Sequence, residues 1–494
     1  MVLWQRVAMM SKRNSTGILL VGSLAVLASG ATPALSASSD EQIELLRQQV
    51  RLLEKKLDNL ERKANSTARE SRETRAIARS AATAPAAKVP VIPVKDPGYV
   101  TMPNNRPTIC SEDGYNCLAI TGRLHFDAGG YDYRPNTALT SPQTLNDGVN
   151  ARRARIGVIG RFARDWDYAM IYDFGGSQDG TGQLENAYLT YRGFRNFYNL
   201  AIDGGYLDVP YTLDEAISSN NIMFMERASS QTVAVNFAAG DARSAFGAHL
   251  NDKQWWAGAY VTGPLSGAPH NQRVPYGATA RGVVVPINND AGSLLLGADF
   301  QYMASTGGPP GVNNLTVNDR VELRIDPTAT LLSTGVLANV QNATVWSGEL
   351  AGGVGSFYFQ GEYYNYAINR FGASTLNFDG GYIQASYTLT GERRKYNEAT
   401  GSYGGINPVN PFYYGSGGWG AWEIAGRYSQ VSLDDALIRG GNLKSYTFGL
   451  NWYVSNNVRF MFNWVNGDVA KSTLAGVDVG GKYNAFGMRT QIAW

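Results

Sequence analysis

The most constraining feature of this sequence is a recurrent segment of about ten residues in which apolar and polar side chains alternate. Examples are 165–175 (DWDYAMIYDFG), 355–367 (GSFYFQGEYYNYA) and 443–454 (LKSYTFGLNWYV), and many such segments carry Tyr, Phe or Trp near their ends. A tilted β-strand of about ten residues crosses a membrane with apolar side chains outward and polar ones inward, and aromatic residues lie at both interfaces. The pattern therefore favours a transmembrane β-barrel over a soluble β-sandwich, whose strands also alternate.

Sixteen such segments can be counted in the last three quarters of the chain, and bacterial single-chain barrels have an even number of strands. We therefore predict an all-β fold, a 16-stranded antiparallel transmembrane β-barrel over residues 118–494. The predicted strands are 119–133, 149–162, 165–175, 183–193, 196–206, 243–251, 254–262, 276–287, 292–303, 343–353, 356–367, 379–390, 418–430, 442–454, 457–466 and 483–494.

The connections between these strands alternate in length, as in outer-membrane barrels. Short turns are expected at 163–164, 252–253 and 455–456, and long connections at 134–148, 304–342 and 467–482. The segment 391–417 is an exception, because it is long but falls on the short-turn side. A further strand within 207–242 would make the number odd, so we predict that this stretch is a large loop folded into the barrel.

The N-terminal region has the features of an export signal over residues 1–37. Lys12 and Arg13 precede an apolar core at 17–29, and small residues follow at 31–37. A membrane anchor is the alternative, but this core is shorter than the roughly 20 residues that a spanning helix needs.

A heptad pattern follows, and it predicts a short coiled coil over 38–80. A single amphipathic helix on a protein surface is the alternative. Val or Ile at the first position with Leu at the second favours a dimer by itself. The residues at the two positions are Ile43, Val50, Leu57 and Ala64, and Leu46, Leu53, Leu60 and Thr67.

Residues 81–117 are predicted to be a linker. The stretch is rich in Ala, Pro and Val, a composition that favours semi-stiff extended chain. Cys110 and Cys117 enclose six residues near its end. In an exported protein two cysteines this close together are expected to form a local disulfide that holds the start of the barrel.

The composition excludes several classes of function. Only 17 % of the residues are charged and mean hydropathy is −0.24, and no apolar stretch of helix-spanning length follows the N-terminus. Three His and two Cys exclude Cys/His zinc modules, and a net charge of +2 gives no reason to expect nucleic acid as a partner. No catalytic constellation and no metal-ligand spacing are present. We therefore expect no enzyme activity, no cofactor and no metal site, but a polar lumen wide enough for water.

The densest positive charge lies in the second predicted strand, at 152–164 (RRARIGVIGRFAR). On strict alternation Arg153, Arg155 and Arg161 share one face, which we assign to the lumen because an arginine facing lipid costs about 2–4 kcal/mol. Arg152 alternates with them and therefore falls on the opposite face, so it needs a β-bulge or a position above the strand to join them. The alternative to a functional role is a structural ion-pair network with the strand carboxylates Asp167, Asp173 and Glu185.

Charge in the barrel region is otherwise balanced, with 27 Lys and Arg against 30 Asp and Glu in 118–494. Any anion preference therefore has to come from local concentration of arginine, whose paired donors match phosphate and carboxylate oxygens. The inward loop is mainly acidic. An acidic loop opposite an arginine wall predicts a transverse field, which suits an anion-selective pore and equally a sieve that orients polar solutes.

Several stretches, in order, resemble the phosphate-selective porins of the outer membrane, the O/P porin family. The resemblance covers about 118–494 and implies a homotrimer with the loop 207–242 folded inward, joined by 391–417, and a coiled coil that serves a trimer rather than a dimer. The matching stretches are 152–160 (RRARIGVIG), 164–174 (RDWDYAMIYDF), 185–194 (ENAYLTYRGF), 387–392 (YTLTGE), 420–428 (GAWEIAGRY) and 450–454 (LNWYV).

The resemblance also implies positions for the residues of the constriction. The family's arginine pair falls on Arg152 and Arg153, and lysines of the phosphate-specific members are replaced here, by Asp167 at one position and by Ala216 at another. A carboxylate in place of a lysine should weaken phosphate binding. The predicted pore constriction is Arg152, Arg153, Arg155, Glu185, Ser218, Ser219 and Arg227.

Three hypotheses for the function follow. The first is a trimeric channel in the outer membrane of a Gram-negative bacterium that passes small inorganic anions, with phosphate as the implied solute. The second is a general diffusion porin with little ion selectivity. The third is a channel whose residues 38–107, with the coiled coil in the periplasm, tether the outer membrane to the cell wall. The expected partners are therefore small anions, outer-membrane lipid and two further copies of the chain.

Overall fold

The computed structural model describes most of the chain after residue 97. The described ranges are 98–136, 144–175, 182–194, 196–238, 240–268, 271–326, 328, 330–415 and 417–494, with helical positions at 47, 50, 51, 54–59, 61 and 62. The chain divides into two compact units, Met1–Pro93 and Val94–Trp494. The predicted signal peptide, most of the coiled coil and the Pro-rich part of the linker lie outside the described residues, so these three predictions stay open.

Sixteen antiparallel strands form a closed barrel, which confirms the predicted fold class. Strand numbers run in chain order over all twenty-two described strands, six of which are short and lie outside the barrel wall. The barrel strands are β3 (Cys117–Pro135), β4 (Gly148–Phe162), β5 (Trp166–Asp173), β6 (Gln183–Phe194), β7 (Leu200–Val209), β8 (Gly240–Asp252), β9 (Trp255–Leu265), β10 (Arg273–Asn288), β11 (Gly292–Gly308), β14 (Val340–Val354), β15 (Phe357–Arg370), β16 (Ala373–Thr388), β19 (Ala421–Asp435), β20 (Ile438–Tyr453), β21 (Val458–Ala470) and β22 (Gly481–Ala493).

The barrel closes between its first and last strands. β22 pairs with β3 from Gly481–Pro135 to Ala493–Arg123. The C-terminal Trp494 extends this pairing, because its backbone exchanges hydrogen bonds of 3.0 and 3.1 Å with that of Gly122. The Trp494 ring also covers Gly122 so closely that a Cβ at this position would lie 2.1 Å from it. All sixteen predicted strands are present, and no predicted bound differs from the observed one by more than six residues.

Burial in the barrel wall is inverted relative to a soluble protein. In β19 and β20 the apolar Ile424 and Phe448 are 46 % and 57 % exposed, whereas the polar Glu423 and Arg427 are 0 % and 5 % exposed. Because alternate residues of a strand point to opposite faces, this pattern puts an apolar surface outside and a polar surface inside. None of the described helices combines the length and the apolar character that spanning a bilayer requires.

Before the barrel, the chain forms a small hairpin rather than the extended linker predicted to continue to residue 117. β1 (Tyr99–Thr101) pairs with β2 (Thr108–Cys110), and β2 pairs with the start of β3. A short 3₁₀ helix, Pro103–Asn105, connects the two strands. Cys110 and Cys117 form a disulfide. Backbone pairing to β3 explains why this part of the chain is ordered despite its composition.

Three segments leave the wall and pack inside the barrel. The predicted inward loop 207–242 is shorter than expected, because its ends belong to β7 and β8, and we call residues 210–239 the lumen insert. The insert contains α1 (Leu213–Ala216) and α2 (Ser229–Val235). The other two segments are 309–339, with β12 (Leu315–Asp319) and β13 (Leu332–Leu337), and 389–420, with β17 (Tyr396–Asn397) and β18 (Ser402–Tyr403).

The lumen is filled on one side. Inward residues of β14 to β22, such as Tyr366, Phe378 and Val465, form a buried apolar cluster with Phe237 of the lumen insert and Leu323 of segment 309–339. On the other side, segment 389–420 contacts the lumen insert, since the Ser402 hydroxyl donates to the Ala216 carbonyl oxygen. The open space therefore lies between the lumen insert and the wall, against β3 to β9 and, at the short-turn end, also against β20 to β22.

Candidate functional site

Three cavities, each lined by several charged residues, lie between the lumen insert and the barrel wall. The turn-side cavity, about 380 Å³, opens beside the short turn at 454–457, and the central cavity measures about 460 Å³. The loop-side cavity, about 290 Å³, is lined mainly by the lumen insert, together with β4, the ends of β6 and β9, and Arg324 of segment 309–339. These cavities form a chain of adjoining spaces through the barrel.

Three residues line both the central and the loop-side cavities: Arg153 of β4 and Glu215 and Arg227 of the lumen insert. They therefore stand where one cavity meets the next. On the other side of the central cavity, Arg123, Arg155, Asn186 and Asp208 are shared with the turn-side cavity. Two of the residues at the loop-side junction, Arg153 and Arg227, belong to the constriction predicted from the sequence.

A β-bulge brings Arg152 into the lumen, which is one of the two possibilities that strict alternation left open. In the pairing of β3 with β4, His125 pairs with Arg153 but Asp127 pairs with Asn150, so β4 carries one extra residue at this point. Arg152 lines the loop-side cavity and makes a bidentate ion pair with Glu226, at 2.8 Å from Nε to Oε1 and 3.1 Å from Nη2 to Oε2. The donors of Arg152 are thus largely used by the insert.

Arg153 has a different environment. Its side chain is almost fully buried, at 5 % exposure, and its Nε and Nη1 groups form no hydrogen bond with a described residue. A buried guanidinium with unused donors calls for a partner such as water or an anion. Arg153 therefore lines two cavities while two of its buried donors are not satisfied by any described residue.

Arg155 and Glu185 form a support rather than a facing pair. Arg155 Nε lies 2.7 Å from Asp173 Oδ2, and Arg155 Nη1 forms an ion pair with Glu185. Arg155 lines the central and turn-side cavities, whereas Glu185 is 1 % exposed and lines none of the three cavities among the described residues. The acidic residue expected at the constriction thus holds an arginine in place.

The serine pair and Arg227 are both held by neighbouring polar groups. Arg123 donates from Nη1 to the Ser219 hydroxyl at 2.6 Å and from Nη2 to the Ser218 hydroxyl at 3.3 Å. Arg227 Nε lies 3.0 Å from Glu215 Oε2, and its Nη2 donates to the carbonyl oxygens of Glu215 and Ile217. Both serines and Arg227 line the central cavity.

The acids of the insert do not form the facing acidic wall that the sequence suggested. Glu226 is paired with Arg152 and also contacts Arg489 of β22 at 2.9 Å and Arg324 at 3.7 Å. Asp214 lies 4.0 Å from Arg227 and accepts a hydrogen bond from Gln360. The carboxylates therefore anchor the insert by neutralising arginines, and this reduces the transverse field across the lumen.

The lining is nevertheless dominated by arginine. Within the described part of the chain, nine arginines and four carboxylates line the three cavities. Arg106, Arg123, Arg192, Arg324 and Arg459 were not predicted as pore residues. The alternation of inward and outward side chains along a strand could have identified some of them, because Arg459 alternates with the outward Phe460 and Phe462. Arg106 and Arg324 lie outside the barrel strands, where this alternation does not apply.

Positions 167 and 216, where the family resemblance implies lysine in phosphate-specific members, contribute no positive charge here. Asp167 accepts ion pairs from Arg161 at 2.7 Å and from Arg192 at 2.9 Å near the short-turn end. Ala216 lines the central cavity. The Asp167 carboxylate therefore forms ion pairs with two guanidinium groups. One of them, Arg192, lines the central cavity.

Comparison with known proteins extends this picture. A sequence model of the family "Phosphate-selective porin O and P" matches residues 118–494. Porin O of Pseudomonas aeruginosa is 25 % identical over 392 residues, which cover 74 % of this chain and 86 % of that protein. Among solved structures, OmpT of Vibrio cholerae matches at 10 % identity and a TM-score of 0.48, covering 77 % of this chain and 98 % of that one. An anion-selective porin from Comamonas acidovorans matches at 11 % identity and a TM-score of 0.43, with 76 % and 99 % covered.

Proposed function

Because the chain belongs to the phosphate-selective porin O and P family, and is therefore an outer-membrane porin of a Gram-negative bacterium, we propose that it conducts small inorganic anions. The proposed path passes the constriction at Arg152, Arg153 and Arg227. Phosphate is the leading candidate solute. Arg155, Ser218 and Ser219 line the path next to this constriction, and Glu185 supports it by holding Arg155.

The position of Arg153 at the junction of two cavities, with two donors that no described residue satisfies, carries this proposal. A dehydrated anion passing the constriction loses hydrogen bonds to water, and charge-assisted donors that lack a protein partner can replace them. The excess of arginine over carboxylate along all three cavities supports the same sign of selectivity. A locally positive path raises the concentration of anions in the channel even though the barrel as a whole is not positive.

A channel with little ion selectivity is the second candidate, and the ion pairs of the lining favour it. Arg152 and Arg227 are each bound by a carboxylate of the insert, and Arg155 by carboxylates of the wall. Asp167 and Ala216 stand where phosphate-specific relatives have lysine. Fewer uncompensated charges weaken a dehydrated phosphate site more than they weaken a general preference for anions.

Planar-bilayer recordings of the purified full-length protein distinguish the two candidates. We expect reversal potentials in a KCl gradient to show anion preference, and we expect phosphate added in chloride to reduce the chloride current because it occupies the constriction. A reversal potential close to zero without phosphate block would favour the second candidate, and anion preference without phosphate block would keep the proposed solute class but remove phosphate as its leading member. A preference for cations would contradict both the proposed solute class and the proposed constriction.

The matched variants are Arg152→Ala combined with Arg153→Ala, and Lys444→Ala as the control. Lys444 is an exposed residue of β20 on the outer face of the wall, so its substitution removes one positive charge away from the lumen. We expect the double variant to lose most of the anion preference and the control to keep it. Equal effects would mean that the constriction lies at another wall.

We propose further that three chains assemble into a trimer and that residues 38–97 lie in the periplasm as a coiled coil followed by a linker. The exposed Val50 and Leu57, one heptad apart on described helical positions, support a helix that packs against other copies. A contact of residues 38–107 with the cell wall remains compatible with conduction, because the barrel and the N-terminal region are separate segments. Envelope adhesion of a strain carrying a 38–97 deletion tests this contact, and unchanged adhesion would contradict it.

A further inference from the structure

The turn-side cavity differs in composition from the two other cavities. Among the described residues, seven asparagines line it, against one in the central cavity and one in the loop-side cavity. They come from five separate parts of the chain, which are the hairpin before the barrel, the wall, the lumen insert, segment 389–420 and the short turn between β20 and β21. Side-chain amides are therefore concentrated at one end of the path.

Four of these asparagines have a structural role. Asn457 holds the short turn to the hairpin, because its Nδ2 donates to the Asn104 carbonyl oxygen at 2.9 Å. Asn104 itself has a φ of 52°, a conformation that asparagine adopts more readily than most residues. The side chains of Asn220 and Asn186 contact polar residues of β3 and β7 at 3.0 and 3.5 Å. The fold therefore accounts for these four residues.

The other three asparagines, Asn221, Asn407 and Asn456, are not explained in this way. Their side-chain amides form no hydrogen bond with a described residue, and none of the three has a positive φ. Asn407 and Asn456 are exposed, and Asn221 is half-buried. Each amide offers hydrogen-bond donors and an acceptor. Three amides that the fold itself does not use are therefore present at this cavity.

The charge at this end of the path is positive. Among the described residues, four arginines line the turn-side cavity against one carboxylate, that of Asp208. Arg106 is half-buried and forms no ion pair with a described residue. Arg459 binds backbone carbonyl oxygens rather than a carboxylate, with 2.8 Å from its Nη1 to the Ile222 oxygen. Guanidinium groups whose charge is not cancelled by a bound carboxylate attract anions to this cavity.

The combination of guanidinium and amide groups indicates a class of ligand. Guanidinium groups only donate hydrogen bonds, which matches phosphate oxygens because these accept them. Amide oxygens accept hydrogen bonds, so they match a ligand that also has donors, such as hydroxyl groups. Inorganic phosphate has few donors and is much smaller than this cavity, whose volume of about 380 Å³ lies in the range of small-molecule sites. A larger solute with both phosphate and hydroxyl groups fits the lining better.

We propose that the turn-side cavity binds phosphate monoesters that carry hydroxyl groups, with glycerol phosphate as the simplest representative. The positive charge of Arg106 and Arg459 attracts the phosphate group, and the amides of Asn221, Asn407 and Asn456 bind the hydroxyl groups. The proposal rests on the anion path proposed above and specifies a class of organic solute for that path. Hydroxyl groups on the solute therefore lengthen its stay in this cavity.

Planar-bilayer recordings of the full-length protein test the proposal with glycerol 1-phosphate and propyl phosphate. These two solutes have the same charge and carbon chain and differ in two hydroxyl groups. We expect glycerol 1-phosphate to halve the chloride current at a concentration at least about fivefold lower than propyl phosphate does, since one hydrogen bond gained corresponds to about this factor. Equal half-blocking concentrations for the two solutes would overturn the proposal.

A double variant, Asn407→Ala with Asn456→Ala, tests the assignment to this cavity. Both side chains are exposed and form no hydrogen bond with a described residue, so we expect the barrel to fold, as judged by heat-modifiable migration on gels. We expect the difference between the two solutes to disappear while the half-blocking concentration of propyl phosphate stays unchanged. Asn410→Ala, at an exposed asparagine of segment 389–420 that does not line the cavity, is the matched control and should keep the difference. A difference that persists in the double variant would overturn the site.

Failure of this proposal and failure of the proposed function give different results in the same recordings. Anion preference together with equal block by glycerol 1-phosphate and propyl phosphate would overturn the hydroxyl-binding site and leave the anion path in place. A preference for cations would overturn the anion path and the site that rests on it.

Discussion

Arg152 and Arg153 are neighbours in the chain, but their surroundings assign them different roles. Glu226 takes up two donors of Arg152, whereas two donors of Arg153 remain without a protein partner. We expect Arg153→Ala to raise the phosphate concentration that halves the chloride current by about tenfold, since a charge-assisted hydrogen bond contributes about 1.5–3 kcal/mol. Arg152→Ala should have a smaller effect. The finding of a larger effect for Arg152→Ala would mean that Glu226 leaves Arg152 available to the solute.

Asp319, in β12 of segment 309–339, makes the stability of that segment depend on pH. Burial raises the pKa of Asp319 to about 6, against the opposing effect of Arg324, whose Nη2 lies 3.0 Å from the carboxylate. Because the folded segment binds the proton more tightly than the unfolded one, this contribution to stability is present below about pH 4 and is lost as pH rises to about 6. The shift corresponds to at most about 3 kcal/mol.

Limited proteolysis across this pH range, in wild type and in Asp319→Asn, measures the effect. We expect the ratio of the wild-type to the variant cleavage rate within 309–339 to rise from pH 4 to pH 6, since only the wild type loses a stabilising proton. Using the ratio cancels the pH dependence of the protease. A ratio that stays constant would show that Asp319 titrates alike in the folded and the cleavable segment.

At the scale of the elements, a buried ion-pair network ties the lumen insert to the strands that close the barrel. Arg489 of β22 donates to Asp127 of β3 with two bonds of 2.6 Å, and it also binds Glu226 and the Met225 carbonyl oxygen of the insert. Arg489 is fully buried. One side chain therefore connects the first strand, the last strand and the insert.

Removal of this side chain should destabilise the barrel strongly. We expect Arg489→Met to lower the free energy of unfolding by about 3–5 kcal/mol, because Asp127 is left buried and charged without its partner. Addition of Asp127→Asn should restore part of the loss by removing that charge. Urea unfolding followed by tryptophan fluorescence measures the stability of Arg489→Met and of the double variant. Lys482→Met, at an exposed position of the same strand, is the control. Equal stabilities of Arg489→Met and Lys482→Met would contradict a structural role for the network.

At the scale of the whole molecule, the barrel closes without the N-terminal region. The closure joins β22 to β3, and no described residue before Asn104 lines any of the three cavities. We therefore expect deletion of residues 38–97 to leave the single-channel conductance unchanged. If the coiled coil serves a trimer, the same deletion should lower the temperature at which trimers dissociate on semi-native gels. A changed conductance in the deletion variant would mean that the N-terminal region reaches the channel.

The sequence by itself determined the wall of this protein. Alternation has a period of two residues, so it is a local property, and the high cost of an arginine in lipid assigns each face of a strand to lipid or to water. For this reason the sixteen strands and their connections could be predicted from neighbouring residues, and the irregularity at Arg152 could be predicted as a bulge or a position above the strand. The inward direction of Arg153 and Arg155 followed from the same rule.

Only the tertiary structure decided what the inward residues do. Arg489 meets Asp127 across 362 positions of sequence, and Asp299, Glu349 and Glu362 come together from three strands. The packing of the lumen insert decides whether an arginine is neutralised, like Arg152, or keeps unused donors, like Arg153. The position of a residue in the alternating pattern of its strand specifies that its side chain points into the lumen. Its partner there depends on long-range packing that no local pattern encodes.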